Sequence, residues 1–177
     1  MEYACHNFGG GCSPIKRHTD VIKALPKVLR QLPDLLYLHL GEGVSLEEEK
    51  ELAERLGVSG HVRFCGNQRD VRHYLIAADI YVMTSKHEGI SLTTIEAMGT
   101  GIPAVLYDVP GLRDFNRESE CAVIIPEDVD KLADAIVALC DDRQKQVTLR
   151  TRAKEFVDTY FNMETNARRI YELYKGK

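Results

Sequence analysis

Short apolar runs alternate with amphipathic helical stripes along almost the whole chain, and this limits the fold more than any single motif does. Runs of this kind are read at Glu2–Phe8, Leu35–Leu40, His61–Cys65, Asp79–Thr84, Pro103–Tyr107 and Cys121–Ile125. Each is too short for a helix and is bounded by turn residues, so each is read as a strand. Between them the apolar spacing changes to three and four. Val21, Ile22, Leu25, Val28 and Leu29 form one stripe within Thr19–Gln31, which Pro26 should kink. Ser45-x-x-Glu48 has the capping-box pattern for a second helix that stops at Gly57. A third is expected over Asp70–Ala78 and a fourth over Ser91–Met98, the latter ended by Gly99-Thr100-Gly101-Ile102-Pro103. Three further helical stripes follow the sixth run with no strand between them, the first capped by Asp128.

Strands alternating with helices predict an α/β fold, a doubly wound, Rossmann-like sheet of six parallel strands in the order 3-2-1-4-5-6, with extra C-terminal helices. No repeat, linker or low-complexity tract interrupts residues 1–177, so a single domain is expected. A net charge of −4 provides no basic field for nucleic acid. The five cysteines are odd in number and never spaced C-x-x-C, which argues against a disulfide framework and against a zinc site, so no metal is expected, and a reducing cytoplasm is favoured. No charged-then-apolar leader and no membrane-length apolar run is read, which leaves room only for a peripheral membrane contact, at the inner face.

In a doubly wound sheet, ligands bind beyond the carboxyl ends of strands one and four. Two segments fall there: Gly9-Gly10-Gly11, followed by Lys16, and Ser85-Lys86-His87-Glu88-Gly89-Ile90-Ser91. Glu88 and Glu96 are eight positions apart, a scale of about 12 Å if all were helical. The backbone N–H groups of Gly89, Ile90, Ser91 and Leu92 fall between them at a helix start, where anions are favoured. An anionic middle with hydroxyl-bearing ends describes a nucleoside diphosphate sugar. Ordinary strand-to-helix turns also carry such residues, and on spacing alone the two readings are about even. A hydrolase carboxylate pair fits less well, because one short segment cannot flank a bond from both sides. Gly41 and Gly43 after strand two, and Gly66-Asn67-Gln68 after strand three, could approach a ligand or simply make turns. No G-x-G-x-x-G joins strand one to its helix, which disfavours a dinucleotide dehydrogenase.

Taken in order, these residues resemble the C-terminal domain of the GT-B retaining glycosyltransferases of family 4, or group 1. The resemblance runs through Lys16-Arg17, Leu38-His39-Leu40-Gly41-Glu42-Gly43, Val62-Arg63-Phe64-Cys65-Gly66, Ala78-Asp79-Ile80-Tyr81-Val82, the E-x7-E pattern from Glu88 to Glu96, Gly101-Ile102-Pro103 and Gly111. It implies that Glu88 meets the transferred sugar and Glu96 the ribose hydroxyls. Lys16 and the N–H groups of Gly89 to Leu92 would hold the diphosphate, with no cofactor required. Retention of anomeric configuration by same-face attack would follow, since no side chain is an evident nucleophile. The resemblance further implies an N-terminal domain, absent here, that supplies a sugar, lipid or small-molecule acceptor pocket. The sequence departs from the family in lacking an arginine before Lys16, and Arg17 and Arg113 do not match its position. An epimerase or phosphorylase of the same fold, or a non-catalytic nucleotide-sugar-binding module, remains the alternative.

Overall fold

The computed structural model describes residues 4–7 and 12–176, with side chains described from Cys12 onward. Six strands are present: β1 (Ala4–Asn7), β2 (Leu36–His39), β3 (Val62–Phe64), β4 (Ile80–Met83), β5 (Ala104–Tyr107) and β6 (Val123–Ile125). All pairings are parallel. Rather than one uniform run, the sheet comprises a two-strand block, β3-β2, and a three-strand block, β4-β5-β6. β1 lies between the blocks and pairs with both, giving the order β3-β2-β1-β4-β5-β6. With β4 only Cys5 and His6 are in register, so the seam between the blocks is short. The α/β, Rossmann-like class expected from the alternation is the class observed.

The strands are nearly continuous hydrophobic runs because helices cover both faces, as parallel sheets require. β4 and β5 are buried at every position. Helix α1 (His18–Val28) packs on α2 (Leu46–Arg55) and α5 (Val129–Asp141). The second set brings α4 (Leu92–Thr100) against α3 (Arg72–Ala77) and α6 (Arg143–Tyr160). The core they enclose is one cluster, from Val21 to Phe156. Pro26 lies in the last turn of α1, where the helix ends at Val28 instead of continuing to Gln31. Ser45 does precede α2, but its side chain makes no cap bond, and its buried hydroxyl has no partner. Asp128 does cap α5, accepting from the Lys131 N–H at 2.9 Å.

The last helix, α7 (Met163–Tyr174), buries no residue. Its Met163, Ile170, Leu173 and Tyr174 are exposed. No helix among the described residues is long and apolar enough to cross a membrane.

Candidate functional site

The β1–α1 and β4–α4 connections meet beyond the carboxyl ends of the central strands. The Lys86 N–H donates to the Ile15 carbonyl at 2.8 Å. Thr84, directly after β4, donates its hydroxyl to the carbonyls of Lys16 at 3.1 Å and Arg17 at 3.0 Å. This lacing has a local consequence: Arg17 takes a left-handed backbone, φ 53°, the one described non-glycine residue to do so. The turn delivers Lys16 onto Glu88, and Lys16 Nζ donates to Glu88 Oε1 at 2.7 Å. The two side chains are 18% and 10% exposed, enough shielding to strengthen the pair while keeping an open side.

Glu88 is held from behind by backbone. Gly111 has φ +84°, and a Cβ there would come within 2.4 Å of the Glu88 carbonyl oxygen and 2.3 Å of that of Gly89. Only a glycine lets the β5–β6 connection approach the Glu88 loop this closely. The sequence flagged Gly111 as part of a pattern without assigning it this supporting role.

Ser91 caps α4, accepting from the Thr94 N–H at 3.4 Å. Thr93 and Thr94 hydroxyls lie 3.1 and 3.2 Å from the hydroxyl of fully buried Tyr81 on β4, which pins the helix start to the sheet. Desolvation pushes the Tyr81 phenol upward in pKa, so it stays neutral and serves as a fixed hydrogen-bonding post. Around the start of α4, Gly89, Ile90 and Leu92 are exposed. The first N–H groups of a helix have no partner within it, so this end presents donors and positive dipole outward.

Glu96 lies one turn further along α4 and is exposed. It lines a groove of about 500 Å³ with Arg69, Asp70, Val71, Arg72, Leu75, Gly99 and Thr100. The groove therefore joins Glu96 to the β3–α3 connection. Of the residues expected there, Asn67 is exposed, and Gln68 donates its side-chain amide to the Cys65 carbonyl at 2.6 Å, which closes the turn. Gly66 has φ +65° and accepts from the Gly41 N–H at 2.9 Å. Gly43 has a tighter reason to be glycine, since a Cβ would stand 2.3 Å from the Cys12 carbonyl oxygen. These glycines pack loop against loop. Gly9 and Gly10 lie outside the described residues.

Neither alternative arginine joins Lys16. Arg17 bonds Asp20 at 2.9 Å, pairs with Glu127 and stacks on the Tyr107 ring at 5.4 Å. Arg113 is held by Asp108 at 2.8 Å. Beneath Lys16 lies a second polar group that sequence reasoning did not assemble. Cys12, His18, His39 and Glu49 are all buried, and His39 Nε2 contacts Glu49 Oε2 at 2.8 Å. Burial pushes the Cys12 thiol up to about 12, with Glu49 adding to the shift. Burial likewise pushes His18 down to about 3, with His39 and Lys16 adding to it.

The family model "Glycosyl transferases group 1" matches residues 8–156. Over 154 residues the chain is 31% identical to the lipopolysaccharide core biosynthesis glycosyltransferase LpsE of Rhizobium meliloti, covering 86% of this chain and 45% of that protein. It is 25% identical to a GDP-mannose-dependent phosphatidylinositol monomannoside mannosyltransferase of Mycobacterium tuberculosis, covering 92% of this chain and 45% of that one. The chain thus spans about half the length of these curated relatives. Among solved structures, Anabaena HepE in complex with UDP superposes with TM-score 0.90 at 23% identity, covering 99% of this chain and 49% of that one. At that identity the likeness speaks for the fold.

Proposed function

This chain belongs to the group 1 glycosyl transferases, and from that premise we propose that it is the donor-binding half of a retaining enzyme that transfers a sugar from a nucleoside diphosphate to an acceptor. The observation that carries the reading is the Lys16–Glu88 pair, 2.7 Å long, beside the exposed start of α4. In the free protein each group satisfies the other. A diphosphate entering at the helix N-terminus takes over the Lys16 ammonium, because two anionic oxygens outbid one carboxylate for a cation. Glu88 is then released to accept hydrogen bonds from sugar hydroxyls. The Gly89–Leu92 N–H groups share the phosphate charge, and this charge grows as the sugar–phosphate bond breaks. Glu96, in its groove, accepts from the ribose hydroxyls.

On this reading the acceptor hydroxyl attacks on the face that the phosphate leaves. Its oxygen bonds to the anomeric carbon, the carbon–phosphate oxygen bond breaks, and the proton passes to the departing phosphate oxygen. No cofactor takes part. The remaining half of the protein would supply the pocket for a sugar, lipid or small-molecule acceptor, on the cytoplasmic side. The 45% coverage of the relatives and the uncovered apolar side of α7 support a chain that is one part of a larger enzyme. This half alone should bind nucleoside diphosphates and transfer no sugar.

Calorimetry on two single variants tests the assignment, with UDP and GDP as starting ligands. Glu96→Ala should weaken nucleoside and nucleoside diphosphate binding by similar factors. Glu88→Ala should spare the nucleotide and lower transfer in the restored two-domain enzyme. If both variants bind every ligand like the parent, the site is elsewhere.

A further inference from the structure

We infer that Cys12, His18 and His39, with the Glu49 carboxylate beside them, form a binding site for a zinc-class divalent cation that staples the β1–α1 loop to β2. Among the described residues, Cys12, His18 and His39 each offer a ligand atom, and these atoms lie within 4.8 Å of one another in the protein interior. Cys12 Sγ is 3.8 Å from His39 Nε2, and Glu49 Oε2 is 2.8 Å from the same nitrogen. The His18 and His39 rings are 4.3 Å apart. Zinc bonds of about 2.0–2.3 Å place neighbouring tetrahedral ligands roughly 3.3–3.8 Å apart. Shifts of about an ångström bring the three donors, now within 4.8 Å of one another, to that spacing.

Three features point to the class of ion. One thiolate and two imidazoles make the nitrogen–sulfur set that zinc takes, whereas calcium and magnesium seek oxygen. The charges cancel: a divalent cation, the Cys12 thiolate and the Glu49 carboxylate sum to zero with both imidazoles neutral, which removes the cost of a buried net charge. The thiol proton leaves to solvent as the sulfur–metal bond forms. Tyr37 supplies an outer partner, its hydroxyl 3.1 Å from His18 Nδ1, which leaves Nε2 as the ligating nitrogen.

The site lies away from the donor groove but bears on it through the chain. The Cys12 N–H donates to the Glu42 carbonyl at 2.6 Å, and its own carbonyl accepts from the Ser45 N–H at 3.3 Å. A cation on Cys12 would therefore set the position of the loop that carries Lys16.

The test is cobalt substitution of the whole chain after stripping with a chelator. About one cobalt per chain should bind, with a thiolate-to-cobalt charge-transfer band and the strong visible bands of four-coordinate cobalt, all displaced by zinc. Zinc should also raise the melting temperature of the stripped protein. Cys12→Ser should abolish the charge-transfer band, and Cys65→Ser, at a half-buried cysteine outside the cluster, should keep it. His18→Gln, which leaves the thiol in place, should weaken cobalt binding at least tenfold. A stripped, folded protein that shows no thiolate band overturns the site, as does a band that survives Cys12→Ser or disappears with Cys65→Ser.

Discussion

Two polar pairs, Lys16–Glu88 and His39–Glu49, adjoin the segment from Cys12 to His18, and they differ in what water allows them to do. Lys16 and Glu88 pair at 2.7 Å with one side open. His39 and Glu49 pair at 2.8 Å with exposures of 0% and 1%. An open pair can exchange its partner for a ligand, because solvent stabilises each ion during the exchange. A closed pair exchanges only for a partner that brings compensating charge with it, since parting otherwise leaves a charge in low dielectric at a cost of several kcal/mol. The first group is therefore suited to recognition and turnover, and the second to holding a loop still. Their adjacency means that the fixed group sets the geometry of the exchangeable one.

The comparison is broken most severely at its closed end. His39→Ala should lower the unfolding free energy by about 3–5 kcal/mol, because buried Glu49 loses its imidazole partner. Denaturant titration followed by circular dichroism measures this, and a loss below about 1 kcal/mol would mean that water reaches the cluster. Gly111→Ala comes next. Its Cβ would press on the Glu88 and Gly89 carbonyls from a left-handed backbone, at a cost of about 1–3 kcal/mol. Since the pressed segment carries Glu88 and the start of α4, nucleoside diphosphate affinity should fall with stability. Unchanged affinity would separate the β5–β6 connection from the site.

At the open end, the expected stability change is smallest. Lys16→Ala should cost less than about 1 kcal/mol of folding free energy, as for partly exposed ion pairs. Diphosphate affinity, in contrast, should fall about tenfold to a hundredfold, because the lost bond is to a charged group. Calorimetry with a nucleoside diphosphate against the free nucleoside sharpens the point, since equal loss for both would place Lys16 outside the phosphate contacts.

Much of this molecule could be read before its coordinates. The strand cores came from period and length, since Asp79–Thr84 brackets the observed Ile80–Met83 and Pro103–Tyr107 brackets Ala104–Tyr107. Helix ends were legible where a local group decides them, as at Ser91, Asp128 and Gly101. They were less legible where packing decides them. Ser45 stands before α2 as a capping residue would, yet its hydroxyl is buried without a partner. Gln68 was open to a ligand contact or a turn, and in the fold it closes its own turn. The two arginines considered as substitutes at the phosphate are both held by carboxylates that the sequence does not place beside them.

By itself, the sequence determined the alternation of elements, the family and the segment that runs from Glu88 to Glu96. Those features depend on neighbours a few positions apart, and side-chain period and capping are local chemistry. Only the tertiary structure decided that Lys16 meets Glu88 across 72 positions, that Gly111 supports the Glu88 loop, and that Cys12, His18, His39 and Glu49 converge. The cysteine spacing argued against a zinc site because a zinc motif read along the chain needs its ligands close together. Here they come from a loop, a helix and a strand, and burial of a shared core, not spacing, brings their donor atoms within reach.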